Sequence, residues 1–110
     1  GKLLLAFKAP DERAKLLENL PLEKFTHRTI TDHDLLASEL ERIVSTGYAI
    51  DNEEYVLGVS CVAVPVRDAT GDVVAAIAVH AATARLPLNQ AMEHIPKLKE
   101  ASERISQTLS

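Results

Sequence analysis

The hydrophobic positions of this chain follow a helical period at both ends and a strand period between them. In "TITDHDLLASELERIVSTG", Leu36, Leu40, Ile43 and Val44 recur three or four residues apart, which predicts an amphipathic helix. Thr31, with Asp34 three residues on, supplies a start signal, and Gly47 supplies the stop. Upstream, "GKLLLAF" predicts a short helix. Pro10 then sits at a first-turn position ahead of "DERAKLLENL", where Leu16, Leu17 and Leu20 share a face. Downstream, Leu88, Met92, Ile95, Leu98, Ser102, Ile105 and Leu109 keep the helical spacing to the end. Pro96 falls inside that long helix and predicts a kink or a restart, because it removes one backbone donor and crowds the preceding turn.

In the middle the period drops to two. "VSCVAVPVR" and "VVAAIAVH" alternate around β-branched residues, and "DATG" between them is the kind of connection that closes a hairpin. Tyr48 to Ile50 suit a further extended stretch, and "DNEEYVLG" reads as a polar connection ending at Gly58. Pro65 lacks a donor, so it belongs near an edge or a bulge. Pairing Arg67 with Asp72 sets Cys61 opposite Ala78 and Val59 opposite His80. One face then carries Cys61, Ala63, Ala76, Ala78 and His80; the other carries Val62, Val64, Val66, Val73, Ile77 and Val79. The expectation is a mixed α/β fold, with an antiparallel sheet packed against helices and a long terminal helix.

Composition narrows the choice. With 110 residues, 46% of them hydrophobic, the chain suits one domain with a modest core. Only 4% are aromatic and none is tryptophan, so that core is built from Leu, Ile, Val and Ala, and small side chains on a sheet leave room for a guest. A net charge of -4 with scattered basic residues argues against nucleic-acid binding by this segment itself. One cysteine forbids an internal disulfide, and no apolar run approaches the ~20 residues that span a bilayer. A cytoplasmic protein with no membrane contact is the expectation. The opening "GKLLLAF", with no initiator methionine, reads as the start of a piece of something larger.

The alanine-rich face with one thiol and one imidazole resembles a cavity wall with a few orienting polar groups. The plainer alternative is that the alanines let a helix pack closely, with Cys61 a small hydrophobe and His80 at a strand end. A Cys61 nucleophile with His80 as base lacks a third, orienting group, so no catalytic residue is assigned. The four histidines show no zinc-type spacing, and neither metal nor cofactor is expected. Asp51, Glu53 and Glu54 read as a solvated acidic run in which an aspartate ties its own loop to the backbone. Gly1 and Lys2 open a helix, so their amides are candidate anion donors.

Together, "GKLLLAF", "LEKFTHRTIT", "GYAIDNEEYVLGVSCVAVPVRDATGDVVAAIAV" and "ARL" resemble the C-terminal effector-binding domain of the IclR family of bacterial transcriptional regulators. The resemblance spans nearly the whole chain. It implies a GAF-like domain, not an enzyme, that senses a small aliphatic, sugar or aromatic acid. Self-association as a homodimer or homotetramer is implied, with DNA bound only through a winged helix-turn-helix that precedes this segment. The start of the effector domain would also lie upstream, so residues 1–110 would be the domain's later part. The contacts the resemblance implies map onto Gly1, Lys2, Asp51, Cys61, Ala78 and His80.

This chain departs from the family pattern in three places. Ala78 and His80 stand where hydroxyl residues are familiar, "AAT" at residues 81 to 83 replaces the usual Gly-Pro, and Pro87 takes a position where a Ser or Thr cap is expected. Ala78 enlarges the site, and His80 offers a hydrogen bond or a positive charge to a carboxylate. Two alternatives remain beside the sensor: a GAF-like dimerisation module with no ligand, and a thiol-dependent reductase, which would need cysteines beyond the single one here.

Overall fold

A computed structural model describes residues 2–109. Three helices come first: α1 (Lys2–Ala6), α2 (Pro10–Asn19) and α3 (His33–Thr46). Three strands follow, β1 (Ala49–Asn52), β2 (Val59–Arg67) and β3 (Val73–Ala82), then α4 (Leu88–Ala91), a 3-10 turn (Met92–His94) and α5 (Ile95–Thr108). The sheet is antiparallel in the order β1-β2-β3. The mixed α/β expectation holds, with one strand more than the predicted hairpin.

Helix α3 begins one residue later than its Thr31 signal. Asp32 is the cap, its Oδ1 accepting from the amides of Asp34 at 2.8 Å and Leu35 at 3.2 Å. Thr and Asp are adjacent oxygen caps here, and the carboxylate, which adds a favourable charge at the positive helix end, takes the place. Gly47 stops the helix at φ 78°, where a side chain would be strained, and its amide returns to the Ile43 carbonyl at 2.8 Å. On the inner face Leu36, Leu40 and Ile43 are buried, whereas Val44 is exposed.

The predicted common face of α2 is not a buried face. Pro10 occupies its first turn as expected, but the helix buries no residue: Leu16 and Leu20 face solvent and only Leu17 packs partly on the core. At the other end, Pro96 restarts the helix rather than bending it. The 3-10 turn absorbs the break, and Pro96 stands in the first turn of α5, where its missing donor costs no helical bond. Pro87 precedes α4 without any side-chain cap.

The sheet separates two cores. Above it, Leu3 and Ala6 of α1 meet Leu36, Leu40 and Ile43 of α3 over Ala49. Below it, Val62 and Val64 pack against Ala91 and Ile95, with Leu98 and Ile77 at the margin. Full burial of each such aliphatic side chain stabilises by about 1.5–3 kcal/mol. Pro65 lies in β2 past the end of β1, which stops at the Ala49↔Ala63 pair, and one residue from a register shift at Val66/Arg67. That is the edge-or-bulge environment its missing donor requires.

The hairpin register differs from the expectation by two residues along most of its length and by one at its closed end. Cys61 faces His80, not Ala78, and Val59 faces Ala82, not His80; Arg67 faces Val73, not Asp72. Asp68 closes the turn more tightly than simple pairing across "DATG" allows. Its carboxylate accepts from Thr70 N, Thr70 Oγ1 and Asp72 N, its own amide donates to Asp72 O at 2.9 Å, and Gly71 takes φ 89°. The thread then gains an extra residue on β3 at the irregularity. Away from that irregularity the slip is even, so Cys61, Ala63, Ala76, Ala78 and His80 remain together, whereas Val73, slipped by one, pairs with Arg67 rather than joining the valine row.

Candidate functional site

The short polar strand β1 determines what the upper face of the sheet presents. Asp51 pairs with Cys61 and Cys61 with His80, so three polar groups stand in one row across three strands. The neighbouring row is Ala49, Ala63 and Ala78, and Pro65 with Ala76 comes next. Side chains of this size leave a hollow of about 420 Å³ under the start of α1, within the usual size of small-molecule sites. Lys2, Leu3 and Leu4 line it from α1, and Glu54 and Tyr55 from the loop after β1.

Of the predicted site residues, Lys2, Asp51, Cys61, Ala78 and His80 all line this one cavity; Gly1 lies outside the described residues. The same-face placement of the thiol and the imidazole is borne out, with His80 Nε2 3.7 Å from Cys61 Sγ. Burial pushes the Cys61 thiol up, and the Asp51 carboxylate on the adjacent strand pushes it the same way. Cys61 is therefore a neutral thiol at neutral pH, the opposite of an activated nucleophile.

Asp51 ties its loop as expected, its Oδ1 accepting from Glu54 N at 2.8 Å. Glu54 is not the solvated residue that the acidic run suggests. Its carboxylate receives Lys2 Nζ at 2.8 and 2.9 Å and the Asn52 amide at 3.1 Å. Lys2 Nζ also donates to Ile50 O at 2.6 Å and lies 3.7 Å from Glu39. Burial works against the charge of Glu39, but Arg42 and Lys2 outweigh it and hold its carboxyl below the usual Glu range.

The loop is pinned from outside as well. Thr26 Oγ1 donates to Glu53 O at 2.7 Å and Thr29 Oγ1 to Glu54 O, while Glu53, at φ 57°, accepts the Gly58 amide on its side chain at 2.7 Å. Tyr55 rests against Phe25 with ring centroids 4.7 Å apart, and both rings are largely exposed beside the cavity. A smaller hollow of about 280 Å³ on the Phe25 side shares Lys2 and Glu54 with the first, so that ion pair is their common wall.

Glu54, Tyr55, Leu4 and Ala49 are site residues that sequence reasoning did not single out. For Ala49 the signal was present, two positions before Asp51 and so on the same strand face. For Glu54 and Tyr55 there was none, because a loop's inward side chains follow no period. A larger hollow of about 500 Å³ lies elsewhere, between Pro65, Arg67 and the outer turns of α5. Its cations are already engaged: Lys99 approaches Thr46 O at 3.4 Å, and Arg67 donates to Gly71 O at 2.8 Å. The alanine-floored cavity, apolar with a few convergent polar groups, is the better candidate for a ligand site.

Among the described residues no group of three His, Cys, Asp or Glu is placed to hold a metal ion. No helix there is long and apolar enough to cross a membrane.

Comparison with known proteins points one way. The family described as "Bacterial transcriptional regulator IclR C-terminal" matches residues 1–107. The HTH-type transcriptional regulator KdgR of Escherichia coli (strain K12) is 37% identical over 106 residues, which are 96% of this chain and 40% of that protein. The crystal structure of the Thermotoga maritima IclR superimposes with a TM-score of 0.89 at 37% identity, covering 98% of this chain and 44% of that one. The inducer binding domain of PobR from Acinetobacter, a double mutant in complex with 3-hydroxybenzoic acid, superimposes at 0.90 with 27% identity, covering 96% of this chain and 61% of that one. The chain spans about two fifths of the length of the curated relatives it matches. Those relatives are transcriptional regulators and repressors, not enzymes.

Proposed function

From the premise that this chain belongs to the IclR family of bacterial transcriptional regulators, as part of the C-terminal effector-binding domain, we propose that its cavity binds a small organic acid, aliphatic, sugar or aromatic, and that occupancy controls operator binding. The observation that carries the reading is the shape of the cavity: an alanine floor with Asp51, Cys61 and His80 in one row along it. An apolar body packs on Ala63 and Ala78, and the polar row fixes its orientation. The acid complex of the PobR domain supports the class of ligand.

Control works by population shift. DNA is held by a winged helix-turn-helix upstream of this segment, in a cytoplasmic homodimer or homotetramer. An effector that prefers one subunit arrangement alters the spacing of the DNA-binding heads and with it operator affinity. A ligand with equal affinity for both arrangements would shift nothing.

The test is a thermal-shift screen of the full-length regulator against small aliphatic, sugar and aromatic acids, repeated with His80→Ala and Cys61→Ser. An acid at a hundred times its Kd stabilises the native state by about 2.7 kcal/mol and raises the midpoint. A hit weakened by both substitutions, and able to change operator affinity, supports the sensor. Silence across the panel with self-association intact sinks it in favour of a ligand-free interaction module.

A further inference from the structure

A turn in the connection between α2 and α3 lies outside the alanine-floored cavity, yet it holds part of the cavity's wall. Four residues of "FTHRT", residues 25 to 29, touch the loop after β1. Phe25 stacks on Tyr55, Thr26 and Thr29 bond to the carbonyls of Glu53 and Glu54, and Arg28 Nε lies 3.7 Å from the Glu53 carboxylate. Three consecutive loop residues are each held by the same turn. A hydroxyl has one proton to give and two lone pairs to offer. Thr29 Oγ1 accepts the amides of Phe25 at 3.1 Å and Thr26 at 2.8 Å, and Thr26 Oγ1 accepts the Arg28 amide at 3.0 Å. With the turn's own amides on their lone pairs, both hydroxyls aim their protons at the loop: Thr26 at Glu53 O, 2.7 Å away, and Thr29 at Glu54 O. Thr26 is only 7% exposed, so water is a poor substitute for its bond.

The clamped residues are the ones that shape the cavity. Glu53 takes φ 57°, which a side chain ordinarily avoids, and closes the loop by accepting the Gly58 amide at 2.7 Å. Glu54 is fixed at its carbonyl by Thr29 and at its amide by Asp51, 2.8 Å away, and its carboxylate rests on Lys2 at 2.8 and 2.9 Å. Lys2, Asp51, Glu54 and Tyr55 line the alanine-floored cavity, whereas Thr29 lines only the smaller hollow that borders it at Lys2 and Glu54. We propose that Thr26 and Thr29 are positioning residues of the effector cavity: they keep Glu54 on Lys2 and thereby set the size of guest that the cavity admits. The identity of the guest rests on the acid-sensor reading above; the clamp does not. With the loop held, a guest is confined to about 420 Å³ over the alanines; with it released, the border gives way toward the hollow of about 280 Å³ and bulkier guests enter. The clamp selects a compact guest over an elongated one.

Cys61 lines the cavity and serves as the reporter. The full-length regulator is alkylated with iodoacetamide, which is small, and in parallel with N-phenylmaleimide, which is bulky, and the rates are read by mass spectrometry of the peptide that carries Cys61. Thr29→Val, which exchanges the hydroxyl for a methyl, raises the ratio of the bulky to the small rate about tenfold, as expected for losing a hydrogen bond that holds a loop. Thr29→Ser keeps the hydroxyl and stays within about twofold of the parent. Phe25→Leu, at an exposed side chain whose loss leaves the domain folded, raises the ratio about threefold by removing the stack on Tyr55. Val66→Ala loosens the lower core and leaves the ratio unchanged. The clamp is overturned if neither Thr29→Val nor Phe25→Leu moves the ratio, if Thr29→Ser moves it as far as Thr29→Val, or if Val66→Ala moves it equally. Labelling needs no effector, so silence in the acid screen overturns the sensor and leaves this result standing.

Discussion

The two faces of the same sheet have opposite designs. Below it, Val62, Val64 and Val66 are fully or almost fully buried, Val62 and Val64 against α4 and α5, and the buried polar groups there are Ser60, whose hydroxyl meets that of Thr83 at 2.9 Å, and Ser102 on the covering helix. Above it, the alternate residues of the same strands are Cys61, Ala63, Ala76, Ala78 and His80, and the helix over them does not fill the space they leave. Alternation at a period of two lets one strand make a packed core with one set of side chains and a cavity with the other. Along β2 and β3 the tightly packed side chains lie on one face and the candidate chemistry on the other.

Substitutions can test that division. Val64→Asp buries a charge with no partner in the lower core and is expected to cost more than ~4 kcal/mol, enough to unfold a domain of this size; denaturant melts of the full-length protein check it. Ala78→Leu on the upper face is expected to change stability by no more than about 0.5 kcal/mol, since Ala78 is exposed, yet to fill the cavity and remove effector binding. Equal damage to stability from the two would mean that the β3 side of the upper face is packed as tightly as the lower one.

The smallest effect concerns the ion pairs at the cavity's edge. Because the folded Glu39 carboxyl titrates below its ordinary value of 4.5, its contribution is complete above that pH and is lost as pH falls from 4.5 through the lower folded value. The loss is expected to be no more than ~1 kcal/mol, and Glu39→Gln should remove that part of the acid dependence in melts across pH 3 to 6.

How much of this was legible in the sequence follows from how local each determinant is. The periods of α3 and of β2 and β3 are local, as are the Gly47 stop and the restart at Pro96, and all were readable. The register was not, since it depends on how Asp68 folds the turn around Thr70 and Asp72, a side-chain matter that pairing rules ignore. Strand β1 was missed at Asp51 and Asn52 because their composition reads as loop, although pairing with Cys61 and Ser60 holds them extended. The exposure of Leu16 and Leu20 on α2 is a property of what lies beside that helix, which no pattern within it encodes. For the site, the small-residue face was visible, but its closure by Lys2 and Glu54, 52 residues apart, was a long-range contact with no sequence signal.

That closure also sets a pair of interacting side chains, Lys2 and Glu54, on the border that the two hollows share. Shortening Glu54 or Lys2 is expected to open that border between a room of about 420 Å³ and one of about 280 Å³ while the alanine floor stays in place. Within this scaffold the size of the guest and the chemistry that orients it are separate variables, and a lineage could alter the first without relearning the second.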